Sequence, residues 1–353
     1  MLPDLTPPGF EKKGSPRLPG VLAGAILFTT LGFASAFSRT SHVDLCAVGV
    51  TKEMPIAQSS NMRADFSARC KIPGAIKCVG FDSPSDLIPG VNIFPDGGGI
   101  FRYTLDKNIK ASGEGSLHFT VPAVSGQNTS GRYDDSLGGS FGPPESGAAN
   151  GTTVYVQLRE RMDAAFVALH TDGEGWKQFG IHGGKTTCQA VGIVFQNIFW
   201  RGFPQGFTNC GSQALIDGPA GPSEFLEQGD YNCQYGHYNS KNCAFYKPNQ
   251  WMTFYLKMVI NKWDPEKTPP GKGSNTIQAW VAYEGQPMRQ FINLKNFPLN
   301  YQDSPRDRYT SITLFNYDAR RTGSRSYAQA NCWYDDLIVS TRPIPAPDGP
   351  TPE

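Results

Sequence analysis

The stretch Thr153-Val154-Tyr155-Val156-Gln157-Leu158-Arg159-Glu160-Arg161-Met162 alternates apolar and polar side chains with a period of two. Successive side chains of a strand leave on opposite faces. Val154, Val156 and Leu158 therefore turn one way, and Tyr155, Gln157, Arg159 and Arg161 the other. Trp251–Ile260 (WMTFYLKMVI) repeats the pattern: Met252, Phe254, Leu256 and Met258 form its apolar set, with Trp251, Thr253, Tyr255 and Lys257 opposite. In Thr276–Tyr283, Ile277, Ala279 and Val281 oppose Gln278, Trp280 and Ala282, and in Lys177–His182, Phe179 and Ile181 oppose Gln178 and His182.

Working outward, further strand-like runs lie at Ser116–Val121, Ala164–His170, Gly192–Phe199, Tyr309–Tyr317 and Trp333–Ser340. Turn signals such as Gly142-Pro143-Pro144 and Asn150-Gly151 punctuate them, and no segment sustains a helical period. The composition agrees. With 39 Gly, 28 Pro, 22 Phe, 14 Tyr and 6 Trp but only 18% charged residues, a coiled coil and a disordered chain are both excluded. The expected fold is all-β, a two-sheet antiparallel β-sandwich of the jelly-roll kind.

A net charge of +1 (32 basic, 31 acidic residues) provides no global field for nucleic acid, which is not an expected partner. Lys12, Lys13 and Arg17 precede an apolar run from Leu18 to Phe37 that contains Ala34-Ser35-Ala36. This is the pattern of a secretory signal cleaved after Ala36, or of an uncleaved N-terminal membrane anchor. Either reading exports the body of the chain to a secreted or periplasmic location, and only this segment would touch a membrane. The expected organisation is residues 1–36 as signal or anchor, 37–69 as an irregular lead-in, 70–343 as one β domain and 344–353 as a Pro-rich tail.

All eight cysteines follow the apolar run, as a disulfide framework requires. Proximity alone suggests Cys70–Cys78, Cys188–Cys210 and Cys233–Cys243, leaving Cys46 and Cys332 to join the ends, among many other connectivities. Their spacing is wrong for a zinc site. The acidic pairs Asp134-Asp135 and Asp335-Asp336 are candidate ligands for a structural calcium ion.

The non-core faces of the four alternating strands carry Arg, Gln, Lys, His, Tyr and Trp. Gathered in one sheet, they would line a groove suited to sugar rings and carboxylates, because aromatic rings stack on pyranose faces and Arg grips carboxylate bidentately. Gln157, Gln278, Trp251 and Trp280 are the candidate substrate-binding residues.

Several stretches then resemble a family of secreted bacterial proteins with a concanavalin A-like jelly roll, similar to polysaccharide lyases. They are 116–122, 154–161, Gly175-Trp176-Lys177-Gln178, Gln196-Asn197, Arg201-Gly202-Phe203-Pro204-Gln205, 249–254 and 333–340. Alginate-type lyases of that superfamily carry an Arg strand, a Gln/His strand and a Tyr/Lys strand on their concave sheet. Arg159-Glu160-Arg161 resembles the first, Gln178 with His182 the second, and Tyr255 with Lys257 the third. Two extra residues separate Gln178 from His182, and the Tyr/Lys pair lacks its following glycine. The resemblance implies β-elimination on a uronate polysaccharide, with Arg159, Arg161 and Gln196 neutralising the carboxylate and His182 or Tyr255 moving protons. Two other readings stay open: a non-catalytic glycan-binding module led by Trp280, Tyr255 and Trp251, and an anchored structural subunit with protein partners in an envelope complex. No Glu-x-Asp-x-x-Glu signature of a retaining glycosidase is present.

Overall fold

The computed structural model describes residues 65–87, 103–121, 123, 133–137, 152–168, 176–182, 192–197, 202–208, 225–226, 243–261, 275–297, 309–314, 328–347 and 350–352. Its strands in chain order are β1 (Ala75–Val79), β2 (Tyr103–Asp106), β3 (Ser116–Val121), β4 (Tyr133–Ser136), β5 (Thr152–Met162), β6 (Trp176–His182) and β7 (Gly192–Asn197). They continue with β8 (Gln205–Thr208), β9 (Phe225–Leu226), β10 (Trp251–Ile260), β11 (Asn275–Tyr283), β12 (Arg289–Phe297), β13 (Ser311–Leu314) and β14 (Ala330–Ser340). Two short helical turns, α1 (65–69) and α2 (Ala164–Val167), flank β1 and β5.

The strands form two antiparallel sheets, as expected. The first has eight strands in the order β12-β11-β10-β5-β14-β3-β2, with β1 alongside the second half of β14. The second has six, β4-β13-β6-β7-β8-β9. Long-range pairing through β5, β10 and β14 makes the first sheet the rigid slab, because central strands are hydrogen-bonded on both edges.

Alternation builds the core. Val154, Val156 and Leu158 of β5 and Phe254, Leu256 and Met258 of β10 meet Phe179 and Ile181 of β6, Ile193 and Phe195 of β7 and Ile312 and Leu314 of β13 in one buried cluster. The Phe179 and Phe195 rings stack at 4.8 Å, and Phe254 packs on Phe179 at 6.3 Å. Each such side chain contributes about 1.5–3 kcal/mol by leaving water. At the edge, Lys77 of β1 reaches across to pair with Asp135 of β4, tying the sheets together.

Of the strand expected at 164–170, residues 164–168 depart from expectation, and 169–170 lie outside the described residues. Where a strand was expected, Asp163 caps a helical turn: its Oδ1 accepts from the Phe166 N–H at 2.6 Å, and its Oδ2 accepts from Asn331 Nδ2 at 2.8 Å. This local capping outcompetes the apolar run, whose Phe166 is buried against Trp176 at 4.6 Å.

Candidate functional site

The expected pairing of β5, β10 and β11 is present. On the outer face of the first sheet, Gln157, Tyr255 and Trp280 stand in one cross-strand row, Arg159 and Thr253 in the next, and Arg161 lies between Trp251 and Trp333. This face is not a trough, because the chain's own ends cover it. Phe66, Cys70 and Ile72 from the α1 region and Ile344 from the C-terminal segment pack with Tyr155, Tyr255, Trp280 and Ile338. Arg69 donates to the Gln157 side chain and, at 3.1 Å, to Asp336; Gln157 Nε2 donates to the Pro345 carbonyl at 3.0 Å. The Ile344 N–H donates to the Tyr255 hydroxyl at 3.1 Å. Gln157 is 0%, Tyr255 1%, Arg159 4% and Trp280 7% exposed, and burial pushes the Tyr255 phenol well up. Lys257 and Gln278 pair across β10 and β11 and are half-buried, with Gln278 Nε2 donating to Asn293 at 3.1 Å. Trp251 and Trp333 are buried together, and the Trp333 indole donates to Asp106 at 2.9 Å while His118 stacks on it at 4.8 Å.

The acidic pairs are also engaged. Asp335 accepts from the N–H groups of Ala111 (2.8 Å), Ser112 (3.1 Å) and Asp336 (2.8 Å). Asp336 accepts from Ser112 Oγ (2.5 Å) and Arg69, with Arg159 Nε at 3.5 Å. Asp134 accepts from Thr313 Oγ1 at 2.6 Å, and Asp135 from the Tyr133 hydroxyl at 3.1 Å. Guanidinium groups supply positive charge at Asp336, and no metal-holding group of three or more His, Cys, Asp or Glu exists among the described residues.

Gln178, Gln196 and His182 do not share a sheet with Arg159: all three belong to the second sheet. A register shift between Lys177 and Phe179 turns Gln178 inward. There its Nε2 donates to Glu160, its Oε1 accepts from the Tyr246 hydroxyl at 3.0 Å, and its carbonyl accepts from the Tyr334 hydroxyl at 2.7 Å. Burial without a cation pushes Glu160 up to about 8. The expectation that Gln178 and His182 join the Arg strand on one face is thus overturned by one bulge and one change of sheet.

The non-core face of the second sheet carries a different polar set, itself largely buried: Asp134 is 0% and Thr313 1% exposed, while Lys177 and Ser136 keep part of their surface. Since Phe179, Ile181, Ile193, Phe195, Ile312 and Leu314 face the core, their neighbours in sequence face away. Pairing sets them in three rows: Ser136, Ser311, His182 and Gly192; then Asp134, Thr313, Gly180 and Val194; then Lys177, Gln196 and Gln205. Gly180 and Val194 leave the middle row low; a Cβ on Gly180 would stand 3.1 Å from the Ile193 carbonyl oxygen and Val194 Cγ2. Gln205 is 0% exposed, and neither atom of its amide has a hydrogen-bond partner. Gln196 beside it is 4% exposed. Orphaned buried amides are rare in folded proteins. Gln205, quoted in the sequence only within the resembling stretch 201–205, was not singled out because its strand has four residues, opens after Pro204 and shows no apolar alternation.

Cys70 and Cys78 form a disulfide, as expected. Cys332 is a free thiol buried in the core, pushed well up by desolvation, which overturns the expected Cys46–Cys332 link: its strand faces it inward between β3 and β5. Cys243 is disulfide-bonded, while Cys46, Cys188, Cys210 and Cys233 lie outside the described residues, as does the segment 1–37. Among the described residues no helix is long and apolar enough to cross a membrane.

No protein-family model and no curated protein matches the chain. Among solved structures it is similar to an endo-β-1,4-glucuronan lyase from the fungus Trichoderma reesei (TM-score 0.40, 11% identity, 70% of this chain and 89% of that one). It is similar to an alginate lyase from Aplysia kurodai (0.40, 12%, 68% and 87%). A Chlorella virus alginate lyase gives 0.38, 10%, 69% and 90%.

Proposed function

We propose that the protein is an exported polysaccharide-active protein whose glycan lies on the outer face of the second sheet. The observation that supports this is the polar row Lys177, Gln196 and Gln205 on that sheet, in which Lys177 keeps part of its surface exposed. A sugar suits such a row, since each hydroxyl both donates and accepts. The Cys70–Cys78 disulfide supports export, because such links persist in oxidising compartments.

The reaction this face suits is β-elimination on a uronate polymer. Lys177 and Gln196 would neutralise the carboxylate, and His182, two rows away, would take the C5 proton. The C4–oxygen bond then breaks, the C5 electron pair becomes the C4–C5 double bond, and the proton passes to the departing oxygen. Incubating the protein with uronate polymers and following the ultraviolet absorbance of the unsaturated product tests this. Product formation abolished by His182→Ala supports elimination; binding without product leaves a glycan-binding module.

That second reading has its own support: Arg159, Tyr255 and Gln178, three of the groups suited to catalysis, are committed to packing. Failure to bind any glycan would shift the reading to a structural subunit in a protein complex.

A further inference from the structure

We propose that the outer face of the first sheet is a docking face for a Pro–aliphatic–Pro peptide, occupied in cis by the segment that follows β14. The inference concerns the other sheet from the proposed glycan face and does not depend on the polysaccharide reading.

The occupant is seen in place. Thr341-Arg342-Pro343-Ile344-Pro345-Ala346-Pro347 leaves β14 after Ser340 and sets Ile344 into the cluster of Tyr155, Tyr255 and Trp280. It is held as a bound peptide is held, by one side-chain anchor and by contacts to its backbone. Ile344 is 0% exposed, whereas Arg342, Pro343 and Pro345 around it are exposed. The Ile344 N–H donates to the Tyr255 hydroxyl at 3.1 Å, and the Pro345 carbonyl accepts from Gln157 Nε2 at 3.0 Å. Proline has no N–H to give a strand ladder and holds its predecessor extended, so three prolines at alternate positions keep the segment extended without joining the sheet. A Pro-rich strip lying on aromatic rings, with its backbone read by side chains, is a recurring mode of peptide recognition. The face beneath is built by other parts of the chain. Phe66 and Ile72 border it, Arg69 bonds to Gln157, and Tyr255 packs on Tyr155 at 6.1 Å and edge-on to Trp280 at 5.6 Å. Pairing of β14 stops at Ser340, so lifting residues 343–347 breaks no strand pairing. The contacts also state what a partner must offer: an aliphatic side chain, its own N–H, and the carbonyl of a following proline. A charge at the anchor position would be stranded among rings, while the exposed flanking positions tolerate change. Because the segment is tethered, its effective concentration is in the millimolar range, and a separate peptide competes poorly until the tethered one is removed.

The test titrates a dye-labelled peptide of residues 341–347 with the full chain and with a chain ending at Arg342, following fluorescence anisotropy. The expected result is saturable binding to the shortened chain and binding about tenfold or more weaker to the full chain. A peptide carrying Ile344→Asp should lose about tenfold or more in affinity. A peptide carrying Pro343→Gly and Pro345→Gly should lose about threefold or more, since it has more conformational freedom to give up. Where the shortened chain does not fold, Ile344→Asp in the full chain frees the same face for the same titration. No binding to either opened form, equal binding of the Ile344→Asp peptide, or equal binding to the full and opened chains overturns the proposal.

Discussion

Gln178 Nε2 donates to Glu160 Oε2 in the middle of the sandwich, linking a strand of each sheet through a carboxyl that has no cation beside it. Tyr246 and Tyr334 complete the surroundings of Gln178, and Glu160 Oε1 has no partner. A carboxyl in that setting is held neutral by desolvation.

Its pH consequence follows from linkage. Glu160 is raised to about 8 in the folded chain from an ordinary 4.5. Below the ordinary value both states hold the proton and no stability is lost. As pH rises, the unfolded chain ionises first, so stability falls until the folded carboxyl titrates. Glu160→Gln should therefore raise stability near pH 7 by about 1–3 kcal/mol, with the gain vanishing at acid pH. Thermal melts of both proteins across pH check this; a gain that is constant with pH contradicts it.

Arg69 is buried between Gln157 and Asp336. Arg69→Met leaves Asp336, which is 0% exposed, with the Ser112 hydroxyl and, as its remaining cation, Arg159 at 3.5 Å. The expected loss is about 3 kcal/mol in urea unfolding, since removing one partner strands a buried charge. The same change at half-exposed Arg161 should cost less than about 1 kcal/mol.

Ile344 is fully buried on Tyr255 and Trp280 although it lies in a Pro-rich segment. Ile344→Ala should cost about 2–4 kcal/mol and wet Trp280, red-shifting its fluorescence. An unchanged spectrum would mean the segment does not seal this face in solution.

The Cys70–Cys78 link closes a short loop, with a sequence separation of 8. Replacing both residues by Ser should cost about 2.5 kcal/mol by freeing the unfolded chain. Cys332 should resist thiol reagents until the protein unfolds, because it is buried with its thiol held protonated.

Strong alternation made β5, β10 and β11 readable to within a residue, because both of their faces follow period two without interruption. The strands β1, β2, β4, β8, β9 and β12 were not read. All but β12 are short, five residues at most, and β12 carries Phe291-Ile292 in succession beside a bulge. Alternation also says which side chains share a face but not what lies on it. Phe66, Arg69 and Ile344, far apart in the chain, cover the Arg159 and Trp280 face through contacts no local pattern encodes. For Gln178, a single register shift reversed the direction that counting gave.

Thr341 donates its N–H to the Gly74 carbonyl at 2.9 Å, so the two ends of the described fold meet on one side of the first sheet. A short bridge joining that entry and exit, with new termini cut at the exposed turn holding Gly285, should give a circular permutant that keeps every strand pairing.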